Sequence, residues 1–206
     1  MTGVLRIRCE CGRIQGVVEK PASGTRAVCY CVDCQAFAHF LGAPAKVLDA
    51  LGGTEIVAIH PRQLRFERGE DLLANVSLTG RTYRWYASCC RTAVGNTPRD
   101  PRIAHVGLVH QCLAPEESLQ RTIGPVRMYV NRHGAHGEPP KTPAFSFAAA
   151  LGRFLSKAAW ARLTGTYRQN PFFDAQTGAP RKEPQRLTPD EYARLKESVR
   201  AAADRR

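Results

Sequence analysis

Three closely spaced cysteines constrain this chain more than any other feature of its sequence. Cys29, Cys31 and Cys34 form a C-x-C-x-x-C run. Three thiols this close cannot all pair with one another in disulfides, but their thiolates can bind one metal ion, and zinc is the commonest metal at such sites. Three protein ligands leave one tetrahedral position for water or substrate, which is typical of catalytic zinc sites. A structural zinc with a fourth ligand from elsewhere in the chain is the alternative, and the spacing does not separate the two.

The composition indicates a folded chain in a reducing compartment. The chain has 206 residues, 43% of them hydrophobic, which suits one ordinary domain with a substantial extension. No apolar segment typical of a signal peptide follows Met1, and no segment approaches the length of a transmembrane helix. Eight cysteines, mostly clustered and without an export signal, favour metal ligation over disulfides. We therefore expect a cytoplasmic protein that does not bind membranes.

The net charge of +12 is large for a chain of this size. Nucleic acid, an anionic membrane surface or a small polyanionic substrate would each be attracted to it. However, the sequence has no long basic run, no repeated zinc-finger spacing and none of the aromatic motifs of RNA-binding domains. Arginines spread over solvated faces account for the charge more simply, so we do not expect nucleic-acid binding.

Short apolar and β-branched runs predict a mainly β domain with cysteines on its turns. A short helix over residues 33–41 begins within the cysteine run and ends at Gly42. A hairpin is predicted around Thr79 and Gly80. The predicted strands, which we expect to be antiparallel, cover residues 4–7, 14–18, 26–29, 54–59, 64–67, 74–78, 82–86, 93–95, 103–109 and 126–130.

The composition changes in the last third of the chain. Residues 131–143 are rich in Gly, Pro and His and predict a linker, and residues 145–163 then place apolar side chains at helical spacing. A capping box that begins at Thr188 predicts a last helix. We therefore expect a β domain over residues 1–130 and a helical extension over residues 131–206. Because an apolar helical stripe is unfavourable in water, the extension should pack on the β domain, where it could cover the cysteine run.

A second cysteine group can be assembled from two distant parts of the chain. Cys9 and Cys11 are too close together to complete a metal site alone, and Cys89 and Cys90 are the only other clustered thiols. A closed zinc site made of Cys9, Cys11 and one or both of the others would fix the N-terminal hairpin to the middle of the sheet. Alternatively, Cys89 and Cys90 are buried small hydrophobic residues, as we expect for Cys112.

Three motifs occur in a recognisable order. They are C-x-C-G at residues 9–12, C-x-C-x-x-C at residues 29–34, and an aromatic residue followed by cysteines at residues 86–92. Over residues 4–130 this order resembles the glutathione-dependent formaldehyde-activating enzyme / centromere protein V family. The resemblance implies a zinc-binding β-tent fold, with a structural zinc on the first and third motifs and a reactive zinc on the middle one.

The resemblance also assigns ligands by position. It makes Cys29, Cys31 and Cys34 the ligands of the reactive zinc. It makes Cys9, Cys11 and Cys90 ligands of the structural zinc.

Two positions of the third motif depart from the family pattern. Ala87 stands where the family has the first cysteine of a C-x-x-C, and Arg91 stands where it has glycine. Cys89, adjacent to Cys90, could replace the missing ligand, although two neighbouring residues bind one metal only with a strained backbone.

The family's activity gives the expected chemistry. The resemblance implies a carbon–sulfur lyase-type reaction in which glutathione and formaldehyde form, or are released from, S-hydroxymethylglutathione. Zinc would stabilise the substrate thiolate. His39, five residues after Cys34, is a candidate proton shuttle or else a residue of the helix surface. Glutathione carries two carboxylates, and the loop arginines that could receive them are Arg62, Arg91, Arg99 and Arg102.

Two functions of other classes fit the same residues. The chain could be a non-catalytic zinc module that contacts nucleic acid or a protein partner through its basic face. It could also be a redox enzyme with Cys31 or Cys34 as nucleophile, which would require thiols free of metal. An added thiol should perturb the metal only if the chain is the lyase.

Overall fold

The computed structural model describes residues 3–113 and 116–204, and this part of the chain is mainly β, with two sheets and several helices. The strands are β1 (Val4–Arg8), β2 (Gln15–Glu19), β3 (Thr25–Cys29), β4 (Thr54–Ile59), β5 (Leu64–Arg68), β6 (Leu73–Ser77), β7 (Thr82–Ala87), β8 (Ala93–Pro98), β9 (Val106–Val109), β10 (Met128–Val130) and β11 (Gln185–Arg186). The α-helices are α1 (Val32–Phe40), α2 (Pro44–Val47), α3 (Glu116–Thr122), α4 (Ala144–Thr164) and α5 (Pro189–Asp204).

The strands form a small sheet and a large one. The small sheet has the order β1-β2-β5, and the large one has the order β10-β3-β4-β9-β8-β7-β6-β11. The predicted hairpin of β6 and β7 is confirmed. The expectation of antiparallel strands holds inside both sheets but is wrong for β10, which pairs in parallel with β3 at one edge of the large sheet. Strand β11, which was not predicted, pairs in parallel with β6 at the other edge. Both edge strands follow long connections, which is what a parallel pairing requires.

A core centred on Trp85 lies between the two sheets. Leu5, Ile7 and Val18 from the small sheet share this core with Trp85 and its neighbours on β8 and β9. The Trp85 side chain is fully buried, and its indole Nε1 donates a hydrogen bond to Thr97 Oγ1 at 2.9 Å. The sheets are therefore held face to face by apolar side chains from both.

Two phenylalanines of the C-terminal part complete this core. Phe172 and Phe173 are both buried in it. The ring centroid of Phe172 lies 4.7 Å from that of Trp85, and Phe173 packs 6.0 Å from Tyr83. Aromatic contacts of this kind add to the free energy of burial. The segment after α4 is therefore part of the packed interior.

A second core lies on the other face of the large sheet, beneath α1. Phe37 of α1 and Tyr86 of β7 meet there with Val199, the buried residue of α5. Helix α5 begins at the predicted capping box: the Glu191 amide donates to Thr188 Oγ1 at 3.2 Å, and the Thr188 amide donates to Glu191 Oε2 at 2.7 Å. The last helix therefore packs against the helix that starts in the cysteine run.

Helix α4 matches the helix predicted over residues 145–163, but it does not bury its apolar side chains as expected. Among its described residues only Ala161 is buried. The exposed large hydrophobic residues of α4 are Phe145, Phe147, Leu151, Phe154, Leu155, Trp160 and Leu163. Most of the burial in the C-terminal part comes instead from Phe172, Phe173 and α5. No helix in the described ranges is both long and apolar enough to cross a membrane.

Candidate functional site

Four cysteines from two hairpin turns meet at one point. Cys9 and Cys11 lie in the turn between β1 and β2, and Cys89 and Cys90 lie in the turn between β7 and β8. Their sulfur atoms all lie within 4.8 Å of one another. The Cys11 and Cys89 sulfurs are 3.3 Å apart, those of Cys9 and Cys11 3.5 Å, those of Cys89 and Cys90 3.8 Å, and those of Cys9 and Cys89 3.9 Å. We call these four residues the four-cysteine cluster.

The geometry of the four-cysteine cluster fits a structural zinc. With zinc–sulfur bonds of about 2.3 Å, the sulfurs of a tetrahedral site lie about 3.8 Å apart. The four separations given above, 3.3 to 3.9 Å, bracket that value, and all the sulfurs lie within 4.8 Å of one another. Four thiolates would complete the coordination, as in closed structural sites. Because β1 and β2 belong to the small sheet and β7 and β8 to the large one, a metal here would link the two sheets.

Ala87 and Arg91 are the two positions at which the third cysteine motif departs from the pattern of the formaldehyde-activating family that it resembles, and the structure shows the surroundings of each. Ala87 is fully buried in the core, and the Cys89 sulfur lies in the cluster instead. Arg91 has a φ of +57°, the left-handed conformation that glycine adopts most easily. Its guanidinium bonds the carbonyls of Phe40 and Leu41 at the end of α1 and lies 4.9 Å from the Phe40 ring centre. These contacts offset the cost of the backbone conformation.

Two substitutions of Arg91 should separate the side-chain contacts from the backbone conformation. Arg91→Ala removes the contacts to α1 and keeps a non-glycine residue at positive φ, so we expect a loss of about 1–2 kcal/mol in the free energy of unfolding. Arg91→Gly removes the same contacts but relieves the conformation and should cost less. Denaturant unfolding of both variants measures the difference. A larger loss in the glycine variant would contradict this account.

Burial and hydrogen bonding act differently on neighbouring thiols of the four-cysteine cluster. Burial and the hydrogen bond with Cys11 raise the pKa of Cys89 to about 12. Burial also acts to raise the pKa of Cys90, but hydrogen bonds from the Thr92 hydroxyl and from backbone amides outweigh it and lower that pKa to about 6. The hydrogen bonds around Cys90 thus favour its thiolate, the form that binds a metal cation, whereas Cys89 would release its proton on metal binding. Cys112 lies outside both cysteine groups and is buried, as predicted.

The second group consists of the three cysteines of the C-x-C-x-x-C run. Cys29 is the last residue of β3, Cys31 is the N-cap of α1, and Cys34 lies in the first turn of that helix. Their sulfurs lie within 4.8 Å of one another, and in residues 3–113 and 116–204 no fourth histidine, cysteine or carboxylate joins them. Cys29 and Cys34 are buried, whereas Cys31 is partly exposed. This three-cysteine site could therefore hold a metal ion that stays accessible beside Cys31.

Two polar side chains that sequence reasoning missed contact these sulfurs. The Asn131 amide Nδ2 donates to the Cys29 sulfur at 3.3 Å. Arg84 Nη1 lies 3.6 Å from the Cys34 sulfur and also donates to Asn96 Oδ1 at 3.2 Å. Burial works to lower the pKa of Arg84, but the neighbouring sulfurs and carboxylate outweigh it and raise that pKa. A buried cation thus faces the three-cysteine site, with the N-terminus of α1 as a further source of positive potential.

The sequence does contain a pattern that indicates a buried, paired role for Arg84. Strand β7 alternates, so Tyr83 and Trp85 point into the core between the sheets while Arg84 and Tyr86 point toward α1. An arginine between aromatic residues of a buried strand is unusual unless it pairs with a negative group. Its partner could not be named without the position of α1.

The start of the predicted linker is fixed against the cysteine run. Gln35 Nε2 donates to the Tyr30 carbonyl at 3.0 Å and to the Gly134 carbonyl at 2.8 Å. A Cβ atom at Gly134 would lie 2.3 Å from the Tyr30 carbonyl oxygen, so only glycine fits there. This packing holds Asn131, which itself has a φ of +54°, beside Cys29.

Helix α5 covers one side of the three-cysteine site through Asp33. The Tyr192 hydroxyl donates a short hydrogen bond to Asp33 Oδ1, and the Thr79 hydroxyl donates to Asp33 Oδ2 at 3.3 Å. Burial, followed by the interaction with Asp33, raises the pKa of Tyr192. Thr79 and Tyr192 also line a cavity of about 410 Å³ whose wall includes Arg99 and Arg186. A basic cavity thus adjoins the carboxylate between Cys31 and Cys34.

The four loop arginines and His39, the remaining candidates for substrate binding and proton transfer, lie in different parts of the molecule. Among the four candidate arginines, Arg99 lines this cavity, Arg91 bonds the end of α1, and Arg102 pairs with Asp100 at 3.0 Å. The backbone amide of Arg62 donates to the His60 ring. Helix geometry sets His39 about 140° around α1 from Cys34 and about 7.5 Å along it, so the two do not share a face. A proton-shuttle role for His39 stays a prediction that this geometry does not favour.

Comparison with known proteins gives a family without an assigned activity. None of the curated proteins matches the chain. A model described as "Family of unknown function (DUF6151)" matches residues 1–183, which include both cysteine groups and the segment of Phe172 and Phe173. Since the match covers most of its length, the chain belongs to the DUF6151 family.

Proposed function

We propose that the chain is a zinc-dependent carbon–sulfur lyase acting on a thiol–aldehyde adduct of the S-hydroxymethylglutathione type. The observation that carries the proposal is the three-cysteine site, with three converging sulfurs, one partly exposed member and no fourth protein ligand among the described residues. Closed structural zinc sites use four protein ligands, whereas catalytic ones use three.

The arrangement of the two cysteine groups supports a relation to the glutathione-dependent formaldehyde-activating enzyme / centromere protein V family. A zinc at the four-cysteine cluster would have the structural role, and one at the three-cysteine site the reactive role. Two β sheets linked at a cysteine cluster are compatible with a β-tent fold. Zinc held by Cys29, Cys31 and Cys34 would supply a Lewis acid that lowers the pKa of a substrate thiol.

The residues around the site have complementary roles in this proposal. The charges of Arg84 and the α1 N-terminus balance the negative charge of the sulfurs. Asn131 orients Cys29 through its hydrogen bond to the sulfur. Arg99 and Arg186 in the neighbouring cavity are suited to bind the carboxylates of glutathione.

Cleavage of the adduct requires one proton acceptor. The carbon–sulfur bond breaks, its electron pair remains on the sulfur, and the hydroxyl proton leaves as the aldehyde forms. Asp33 is the carboxylate that we assign to accept this proton, because it lies between two of the cysteines and is oriented by Tyr192 and Thr79.

Metal content and formaldehyde release test the proposal together. We expect about two zinc ions per chain in the wild type, with Cys31→Ser losing about one of them together with the lyase activity. The fold should remain, because the apolar core does not include Cys31. Cys112→Ala is the matched control, since Cys112 is a cysteine outside both groups, and it should keep both metals. Full zinc occupancy in Cys31→Ser, or activity in metal-free protein, would disprove the proposal.

A cobalt-substituted protein distinguishes the lyase from a closed zinc module. Added glutathione should change the visible spectrum of cobalt at the three-cysteine site and leave that of the four-cysteine cluster unchanged. No spectral change at saturating thiol would indicate that no substrate thiol reaches the metal. The non-catalytic alternative would then be favoured.

A further inference from the structure

A cavity with no cysteine in its described lining is a second feature of the molecule, separate from both cysteine groups. It has a volume of about 550 Å³, within the usual range of small-molecule sites, and lies between α4 and the large sheet. Apolar side chains dominate its walls: Ala27, Ile56 and Ala58 line it from the sheet, and Phe147, Leu151 and Phe154 line it from α4. Helix α4 thus stands over an apolar space without filling it.

The apolar side chains by which α4 lines the cavity are partly exposed to water. Phe147 is 47% exposed, Leu151 45% and Phe154 38%, although all three face the cavity. Apolar side chains gain free energy when they are removed from water, and a bound apolar chain would remove them. The cavity itself therefore favours a ligand with a substantial hydrocarbon part.

The charged side chains that line the cavity indicate the chemistry of the polar end of the ligand. Arg127, Arg153 and Lys157 line it, and among its described lining residues none is acidic. Lys157 also donates from Nζ to the Ser23 carbonyl at 2.9 Å, which ties α4 to the connection between β2 and β3. Three basic side chains without an acidic counterpart in the lining favour an anionic group.

Two histidines in the lining add polarity without adding charge. Burial lowers the pKa of His105 to about 4 and also lowers the pKa of His60, so both rings are neutral at neutral pH. The His105 ring packs edge-on against Phe154 with centroids 5.5 Å apart. The positive charge is therefore confined to the two arginines and the lysine.

We propose that this cavity binds a single-chain anionic amphiphile, a long-chain carboxylate, with its hydrocarbon chain beneath α4 and its carboxylate beside Arg127, Arg153 and Lys157. The proposal rests on the apolar walls and the one-sided charge of the lining. It does not depend on the function proposed for the three-cysteine site.

Calorimetric titration of the full-length, zinc-loaded protein with dodecanoate below its micelle concentration tests the site. We expect saturable binding of one molecule per chain. Shortening the carboxylate to decanoate and octanoate should weaken binding by about fourfold for each methylene lost. Dodecyltrimethylammonium, which has the same chain and the opposite charge, should bind more weakly.

A matched pair of substitutions on α4 locates the bound chain. Leu151 lines the cavity, whereas Leu155, one turn further along, does not and is 56% exposed. Leu151→Ser should weaken dodecanoate binding by about tenfold, and Leu155→Ser should leave it unchanged. Ala58→Phe, which fills the cavity from the sheet, should abolish binding while zinc content and circular dichroism stay at wild-type values.

Three results would overturn the proposal. One is the absence of saturable dodecanoate binding, and another is equal affinity for the cationic amphiphile. The third is an equal loss of affinity in Leu151→Ser and Leu155→Ser, which would indicate adsorption to the exposed helix. Binding to anionic vesicles is measured in addition. If the protein binds vesicles only when Leu155 is present and does not bind dodecanoate, the apolar side chains of α4 contact a membrane surface rather than a bound carboxylate.

Discussion

Replacing Cys9 by alanine should destabilise the protein by about 4 kcal/mol or more. Cys9 is the buried member of the four-cysteine cluster, and its sulfur lies 3.5 Å from that of Cys11 and 3.9 Å from that of Cys89. It also accepts a hydrogen bond from the Ile14 amide at 3.2 Å. Its loss would open the proposed metal site and remove the link that a metal there would make between the two sheets. For a chain of this size we expect the melting temperature to fall by roughly 10 °C.

Calorimetry with metal analysis checks this expectation. Cys112→Ala is again the matched control, because Cys112 is a similarly buried cysteine whose sulfur contacts only the Val94 and Val109 carbonyls among the described hydrogen bonds. It should lose about 1 kcal/mol and no zinc. A chelator should lower the melting temperature of the wild type but change that of Cys9→Ala little. Equal melting temperatures for Cys9→Ala and wild type would show that the cluster does not stabilise the fold.

Local sequence patterns predicted the elements that depend on local interactions. The strand over residues 54–59 matches β4, and the helix predicted from residue 33 matches α1 within one residue at each end. The capping box at Thr188 forms as expected because all its partners lie within one turn. The grouping of Cys9 and Cys11 with the cysteines of the β7–β8 turn was also predictable, because no other clustered thiols were available to complete a site.

Features that depend on distant contacts could not be predicted in the same way. The period of α4 indicated a helix with an apolar stripe, but periodicity does not specify which surface meets that stripe, and here it faces a cavity and solvent. Nothing in the local sequence indicated that Phe172 and Phe173 would reach Trp85. The parallel pairing of β10 and β11 likewise depends on where long connections return to the sheet.

Arg84 is the clearest example of a residue whose role is visible only in three dimensions. It is separated from the cysteine run by 50 positions and meets it because α1 packs on β7. Its guanidinium lies 3.8 Å from the Asp33 carboxylate and 5.7 Å from the Phe37 ring centre, and its side chain is 6% exposed. A charge this well buried requires compensation, which the sulfurs and the carboxylate provide.

Arg84→Met should therefore weaken zinc binding at the three-cysteine site by about 10- to 100-fold. Three thiolates and one Zn²⁺ carry a net charge of −1, and Asp33 adds another, so removing the guanidinium leaves negative charge uncompensated in a poorly solvated place. Methionine keeps much of the apolar volume, which limits the packing loss. Arg84→Lys retains the positive charge but lacks the planar guanidinium that also bonds Asn96. It should therefore lose less affinity for zinc than Arg84→Met.

Competition with a chromophoric chelator measures both zinc ions in one titration. In the wild type we expect two release steps, and Arg84→Met should shift only the step that Cys31→Ser removes. Arg102→Met is the control, because Arg102 is an exposed arginine paired with Asp100, and neither step should move. An equal shift of both steps in Arg84→Met would point to general destabilisation, and no shift would show that the buried guanidinium does not stabilise the metal. A selective shift would identify Arg84 as the residue that matches the charge of the three-cysteine site to its metal.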